Sequence, residues 1–376
     1  MSKIKIIRAT TVPESLDSFC YGFLEELNKK YEVIALSSPE KELKVIAERE
    51  GVRTIAIRME RRISIFRDIY SLYELIKTFI KEKPTMVHSM TPKAGLLCMI
   101  AAWISRVPVR VHTFTGLVWP TALGITRKIL MATDWLTCAC STHIIPEGQG
   151  VLNDLRNHIT KKPMKVLGYG NVRGVDMSIY DKRSEVIKRT QNIRKDIFTF
   201  IFVGRIVRDK GINELCEAFN KLSKENPVRL ILVGPYEDDL DPLSVRSRNI
   251  IEQNLSIDSV GAKFGDELLS YYAACDCFVF PSYREGFPNT VLEAGAMGLP
   301  SIVTDINGSR EIIEHGKNGV IIPSKDITSL YEAMKKMAED KDAYNIMAAN
   351  ARPMIEARFE QGFVRKCLLD FYDEIM

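Results

Sequence analysis

Residues 277–300 read Cys277-Phe278-Val279-Phe280-Pro281-Ser282-Tyr283-Arg284-Glu285-Gly286-Phe287-Pro288-Asn289-Thr290-Val291-Leu292-Glu293-Ala294-Gly295-Ala296-Met297-Gly298-Leu299-Pro300. The run Cys277 to Phe280 is short and wholly apolar, as expected of a strand buried on both faces. A polar loop with two prolines and a glycine follows, and a helix is expected from about Asn289. Strand, loop and helix together form the βα unit of a parallel sheet. The first amides of such a helix have no internal partner and sit at the positive end of its dipole, so they can hold an anion such as phosphate. Glu285 lies in the loop and Glu293 in the second helical turn. A plainer reading makes one a solvated loop charge and the other a complement to the dipole, each stabilising by only ~0.3–1 kcal/mol. The stretch alone does not choose between the two.

The alternation of short apolar runs and longer amphipathic stretches continues in both directions, the pattern of parallel sheets covered by helices. In the same half, further strands are expected at Thr199 to Val203, Arg229 to Val233, Val260 to Phe264, Ser301 to Val303 and Gly319 to Ile322. Upstream they are expected at Ile4 to Ile7, Val33 to Leu36, Thr54 to Ile57, Met86 to His88, Val109 to Thr113, His143 to Ile145 and Lys165 to Leu167. Among the helices, Leu16 to Lys29 is read as one element. Ile65 to Glu82 places Ile65, Ile69, Leu72, Tyr73, Ile76 and Phe79 on one face, which is expected to be mainly core. A chain of 376 residues exceeds a single core. The glycine-rich stretch Gly168 to Gly174 breaks the pattern and reads as a hinge. Two doubly wound α/β domains follow, residues 1–170 and 171–358, with the amphipathic segment 359–376 expected to pack back on the first.

Hydrophobic residues make up 46% and charged residues 27%, ordinary for a soluble globular protein. The 52 basic and 48 acidic side chains leave a formal net charge of +4, which gives no argument for nucleic acid as a partner. The start is too short in apolar residues for a signal peptide, and the longest apolar run, Ala94 to Ile104, is about half of a bilayer span. A cytoplasmic protein is expected, with its eight cysteines as reduced, buried thiols. Arg58, Arg61, Arg62 and Arg67 cluster around Ile63 and Phe66. They form either a solvated basic face or a patch resting on anionic lipid, where each contributes about 1 kcal/mol.

After the strand ending at Val203, the loop Gly204-Arg205-Ile206-Val207-Arg208-Asp209-Lys210-Gly211 projects Arg205 and Lys210 from the carboxyl edge of the sheet. Facing the helix start at Asn289, these two cations would neutralise a diphosphate from a second side; alternatively they pair with surface carboxylates such as Asp209. In the first domain, Ala9 to Ser15, Ser89 to Gly95 and Thr113 to Trp119 follow strand ends and are rich in hydroxyls, suiting a polyhydroxylated ligand as well as simple turns. Asp239-Leu240-Asp241 has D-x-D spacing but lies in an acidic turn, and no metal site is expected there.

Gly204-Arg205 with Lys210-Gly211, Asp276 to Ser282, Glu285-Gly286-Phe287-Pro288 with Glu293-Ala294, Asn307-Gly308 with Glu311, and Asn318-Gly319 together resemble the retaining nucleotide-sugar glycosyltransferases of family 4. The resemblance implies the GT-B fold, two Rossmann-like domains facing each other across a cleft. It implies that Arg205 and Lys210 bind the donor diphosphate and stabilise it as it leaves. Glu293 then holds the donor ribose, and Glu285 lies by the transferred sugar. Gly204, Gly286, Phe287, Pro288, Asn289 and Thr290 line the sugar and phosphate, while Lys263 and Phe264 fall where the base is met. In the first domain, Thr10, Lys93, His112 and Thr115 fall on the acceptor side. Many members have a histidine at the position of Thr115, so either Thr115 replaces it or His112 turns into the cleft; Thr115 is preferred.

The implied reaction moves a hexose or N-acetylhexosamine from a nucleoside diphosphate, UDP by resemblance, to a glycan hydroxyl, with retention and without metal or other cofactor. The acceptor expected is an undecaprenyl-diphosphate-linked glycan, and domain closure about Gly168 to Gly174 is expected to complete the site. A nucleotide-sugar 2-epimerase and a binding protein without catalysis are the alternatives.

Overall fold

Apolar runs become the strands of two six-stranded parallel sheets. The computed structural model describes residues 3–60, 64–182, 184–190, 193, 196–239 and 241–376. Arg61, Arg62 and Leu240 therefore lie outside the described residues. The chain divides into two compact units, one of Met1–Arg173 with Val364–Met376 and one of Gly174–Phe363.

In the first unit the strands are β1 Lys5–Ala9, β2 Glu32–Ser37, β3 Arg53–Ala56, β4 Met86–Met90, β5 Val109–Phe114 and β6 His143–Pro146, in the order β3-β2-β1-β4-β5-β6. The helices are α1 Pro13–Cys20, α2 Phe23–Lys30, α3 Lys41–Glu50, α4 Ile65–Glu82, α5 Pro92–Ile104, α6 Gly124–Cys140 and α7 Gln149–His158. Strand order reverses direction at β1 and β4. Right-handed crossovers then place α1–α3 on one face of the sheet and α4–α6 on the other. Separate apolar clusters form on the two sides.

The second unit holds β7 Phe198–Val203, β8 Val228–Val233, β9 Ile257–Ser259, β10 Cys277–Phe280, β11 Ser301–Thr304 and β12 Gly319–Ile322, ordered β12-β11-β10-β7-β8-β9. Its helices are α8 Ser184–Thr190, α9 Ile212–Glu225, α10 Val245–Gln253, α11 Gly265–Ala274, α12 Asn289–Ala296, α13 Ser309–Ile312, α14 Ile327–Glu339 and α15 Lys341–Phe359. A last helix, α16 Gln361–Ile375, begins in the second unit and ends in the first.

Within the first unit, α16 brings Leu368, Phe371 and Tyr372 into the α1–α3 cluster. The Tyr372 hydroxyl accepts from the buried Arg8 guanidinium at 2.5 Å and donates to His88 Nδ1 at 2.5 Å. With Nδ1 accepting, His88 Nε2 donates to Thr113 Oγ1 at 2.7 Å. Burial, reinforced by Arg8, holds the His88 imidazole well below its usual pKa, hence neutral.

Several expected elements differ. The helix expected at Leu16 to Lys29 is two helices, broken at Gly22, which adopts a left-handed φ of +67°. Val260 to Phe264, expected as the third strand of this half, forms none; the edge strand β9 comes earlier, and Gly261 turns the chain at φ +72°. Lys165 to Leu167 forms no strand: Lys165 makes a single ladder-like bond to Ile144, and the chain then enters a turn. Helix α3 was not expected, although Leu43 and Ile46 bury one stripe of it. On α4 the expected core face is half right: Phe79 is buried and Leu72 and Ile76 pack against the core, but the buried stripe is rotated toward Ser71 and Leu75. Ser71, Leu75 and Phe79 are buried, whereas Ile65, Ile69 and Tyr73 are exposed.

Candidate active site

In the second sheet, β7 and β10 are hydrogen-bonded neighbours whose crossovers leave in opposite directions. Ligands of such sheets bind in the crevice beyond the strand ends at this reversal. The two loops singled out from the sequence, 204–211 after β7 and 281–288 after β10, are the ones that open there.

They are tied together at several points. The Tyr283 amide donates to the Asp209 carbonyl at 2.9 Å, and the Arg284 guanidinium reaches Asp209 Oδ2 at 3.1 Å. Gly211, with φ +72°, approaches so closely that a Cβ there would lie 2.1 Å from the Pro281 carbonyl oxygen. Lys210 forms an ion pair with Glu285, both side chains largely buried, and Ser282 Oγ donates to the same carboxylate oxygen at 2.8 Å. The Tyr283 hydroxyl bonds Glu214 of α9 at 2.7 Å, fixing the loop from outside. The loop after β11 joins as well: Thr304 donates to the Ser282 carbonyl at 2.5 Å, and Gly308 lies against Gly286 and Phe287.

Of the expected alternatives for Lys210, a pairing with Asp209 does not form; Asp209 is taken by Arg284. Arg205 is more exposed than Lys210 and meets Glu237 at 2.6 Å. Asp241 of the acidic turn accepts from the Asp209 amide at 2.7 Å and pairs with Arg208, a loop-bracing role. Asn289 and Thr290 form the first turn of α12, whose N-cap, Pro288, supplies no side-chain acceptor. Glu293 lies buried on the same helix. Lys263 pairs with Glu267 at 2.7 Å, and the Phe264 ring is mostly exposed. Ser282 as the partner of Glu285 and Glu237 as the partner of Arg205 were not singled out from the sequence. The hydroxyl three residues before Glu285 was the available signal for the first.

A family model described as "Glycosyl transferases group 1" matches residues 183–354, and one described as "Glycosyl transferase 4-like" matches residues 13–132. The capsular polysaccharide biosynthesis glycosyltransferase CapM of Staphylococcus aureus is 31% identical over 100% of this chain and 98% of its own length. The chain belongs to the group 1, GT4-like glycosyltransferases. An Escherichia coli UDP-Gal:alpha-D-GlcNAc-diphosphoundecaprenol alpha-1,3-galactosyltransferase is 28% identical over 78% of this chain and 76% of its own. Among solved structures, HepE from Anabaena in complex with UDP superposes with a TM-score of 0.81 at 18% identity, covering 99% of this chain and 100% of that one. The two Rossmann-like sheets of the transferase are those of the GT-B fold.

In the first unit of the transferase, the loops after β1 and β4 meet at the corresponding reversal. Thr11 and Thr91 share a hydroxyl bond of 2.8 Å, and the Ala94 amide donates to Thr11 at 3.2 Å. Thr10 is fully buried and donates to the Val12 carbonyl at 2.9 Å, so its hydroxyl serves the turn. Lys93 pairs with Asp68 of α4 at 2.5 Å. His112 does not project into the crevice as a free side chain but forms part of the buried wall. It is buried, bonds Ser89 at 2.9 Å, stacks edge-on against Phe114 and packs on Gly95, where a Cβ would lie 2.3 Å from its ring. Burial pushes its pKa down to about 3, so it stays neutral at ordinary pH. Thr115 is half-buried and lines a pocket with His112, Thr91, Trp119, Thr133 and Asp134.

Asp134, which nothing in the sequence singled out, has its carboxyl pushed from 3.8 up to about 7 by burial. Between these values the unfolded chain loses a proton that the folded chain keeps, so this group's contribution to stability falls as pH rises from about 4 to 7. Asp134→Asn removes that loss. The variant is expected to match the parent near pH 4 and to exceed it at pH 8 by ~2–4 kcal/mol, as read by denaturant melts at both pH values.

Proposed function

We propose that the transferase moves a hexosyl or N-acetylhexosaminyl group from a UDP-sugar to a hydroxyl of a lipid-diphosphate-linked glycan, with retention and without a metal, in the assembly of a cell-surface polysaccharide. The observation that carries the reading is the Lys210–Glu285 pair, braced by Ser282, at the strand reversal of the second sheet beside the first turn of α12. A cation, a carboxylate and a helix N-terminus at one crevice suit a ligand with both an anionic and a hydroxyl-rich part. Support for the donor and acceptor classes comes from the activity of the Escherichia coli relative and the UDP bound to HepE; support for the polysaccharide setting comes from CapM.

In this mechanism the bond between the anomeric carbon and the diphosphate oxygen breaks with its electron pair on the diphosphate. Lys210, Arg205 and the amides at the start of α12 stabilise that charge. The acceptor oxygen attacks the anomeric carbon from the face the diphosphate leaves, and its proton passes to the departing phosphate oxygen. Glu285 orients sugar hydroxyls and complements positive charge on the ring, and Glu293 holds the ribose. Before donor arrives, Lys210 is neutralised by Glu285 and Arg205 by Glu237, so binding exchanges carboxylate partners for phosphate.

The test is a panel of UDP-hexoses and UDP-N-acetylhexosamines with a prenyl-diphosphate-linked sugar, following UDP release and the anomeric configuration of the product. Acceptor-dependent release of UDP, unaffected by chelator, with an axial linkage from an axial donor is the expected result. Conversion of a UDP-sugar without acceptor would instead identify an epimerase, and binding without turnover a non-catalytic protein.

A further inference from the structure

The layer formed by α4, α5 and α6 carries an outer surface that the fold leaves uncovered. On α4, Phe66 is 89% exposed, and Ile65, Ile69, Tyr70 and Tyr73 are exposed beside it. On α6, Leu123 just before the helix is 84% and Ile125 75% exposed, Ile129 continues the stripe one turn on, and Trp135 is exposed further along the helix. Trp103 at the end of α5 is exposed between them in the layer. Exposed large apolar side chains are ordinary when scattered, but here they occur on successive helices of one layer.

Charge is sorted on the same helices. Of the charged side chains on α4, α5 and α6, those that are exposed are Arg67, Lys77, Lys81, Arg127 and Lys128, all basic. The acidic ones are at least partly covered: Asp68 pairs with Lys93, Glu82 with Lys5 and Arg53, Asp134 lies in the pocket described above, and Glu74 is half-buried. Arg58 also remains exposed, although it and Arg67 share Glu60. An apolar, aromatic-rich surface with an exclusively basic exposed charge suits the headgroup region of an anionic bilayer, where apolar groups enter the acyl boundary and cations meet lipid phosphates. A second copy of the chain suits it less, because a two-fold contact would set these cations against themselves.

The topology adds a direction. α4, α5 and α6 are all crossover helices of one parallel sheet, so they run parallel to one another, with their N-terminal ends at the carboxyl edge of the sheet. The most exposed apolar residues, Phe66, Leu123 and Ile125, lie at those N-terminal ends.

We propose that the outer face of α4 and α6 is a docking surface for an anionic lipid bilayer, seated through Phe66, Tyr70, Leu123 and Ile125 and oriented by Lys77, Arg127 and Lys128. This replaces the arginine cluster as the main contact and deepens the reading of a lipid-linked acceptor, since a docked α4–α6 layer brings the sheet edge that carries the first-unit pocket toward the lipid surface.

The experiment is co-sedimentation of the full chain with phosphatidylcholine vesicles with and without phosphatidylglycerol, together with tryptophan emission from the exposed Trp103 and Trp135. Selective binding to the anionic vesicles, a blue shift of the emission, weakening by salt, and an affinity loss of about tenfold or more for Phe66→Ser/Tyr70→Ser and for Leu123→Ser/Ile125→Ser support the proposal. Lys77→Glu/Lys128→Glu should weaken binding without altering the thermal midpoint. Equal binding to both vesicle types, no binding, or variants that bind as the parent does would overturn it. A dimer in light scattering that Phe66→Ser dissolves would assign the face to a second copy instead. The vesicles carry neither donor nor glycan acceptor, so failure here leaves the transfer reaction, assayed in detergent, standing.

Discussion

Glu285→Gln is expected to reduce kcat/KM for sugar transfer by roughly 10²–10³, while UDP binds as tightly as before or more tightly. The substitution keeps the shape of the side chain and an oxygen that can still accept from Ser282 Oγ, now 2.8 Å from the carboxylate. What disappears is the negative charge. In the free protein that charge neutralises Lys210, and in the proposed transition state it complements the positive charge developing on the sugar ring. Losing the second role removes stabilisation made only as the bond breaks, about 2.7–4 kcal/mol for groups of this kind. Losing the first role frees the Lys210 ammonium for the diphosphate, so nucleotide affinity should not fall. Lys210→Ala should show the opposite signature, with weaker UDP binding as well as slower transfer. Calorimetric titration of UDP and steady-state transfer rates for both variants, with a thermal melt to verify folding, separate the roles. Transfer within threefold of the parent for Glu285→Gln, with folding intact, would exclude a part for the carboxylate in the reaction.

The elements of this site were legible because they lie within βα units whose apolar strands and loop glycines stand out locally. β10 is a continuous apolar run and β7 is one from Phe200 onward, and the loops that follow begin where those runs end. Less legible was which residues the loops would join. That Lys210 meets Glu285, and that Asp209 is claimed by Arg284, depends on β7 and β10 being neighbours at a strand-order reversal, a non-local fact. Periodicity failed on α4 for a related reason. That helix is apolar around most of its circumference, so its spacing cannot tell which stripe the sheet and α5 cover. The structure buries Leu75 and Phe79 and leaves Phe66 and Tyr73 in solvent. Asp134 was invisible in the sequence because a lone carboxylate within a helix is usually solvated, and only the neighbouring Trp119 and Thr115 loop encloses it. Thr10 illustrates the reverse error, a hydroxyl in the right loop whose bond serves the turn.

Gly211→Ala is expected to cost ~2–4 kcal/mol of stability and to lower kcat/KM at least tenfold through the donor KM. Two penalties add. The first is the left-handed backbone at φ +72°, which costs an alanine about 1 kcal/mol relative to glycine. The second is contact: the new Cβ would stand 2.1 Å from the Pro281 carbonyl oxygen and 2.8 Å from its carbon, and both are backbone atoms that cannot swing aside. The loops after β7 and β10 must therefore move apart, and they are joined at that place by the Tyr283–Asp209 bond and the Lys210–Glu285 pair. Separating them moves the cation and the carboxylate away from the shared crevice without changing either. Gly316→Ala isolates the first penalty, since Gly316 has φ +78° and open space where its Cβ would go. It should lose about 1 kcal/mol and retain full activity. Asparagine sharpens the contrast, because it tolerates left-handed backbone but still carries a Cβ: Gly316→Asn should be nearly neutral, and Gly211→Asn as damaging as alanine. Denaturant melts and donor saturation curves for the four variants test this. Equal stability losses at the two positions, or unchanged donor KM in Gly211→Ala, would show that the close approach of the two loops does not hold the site together.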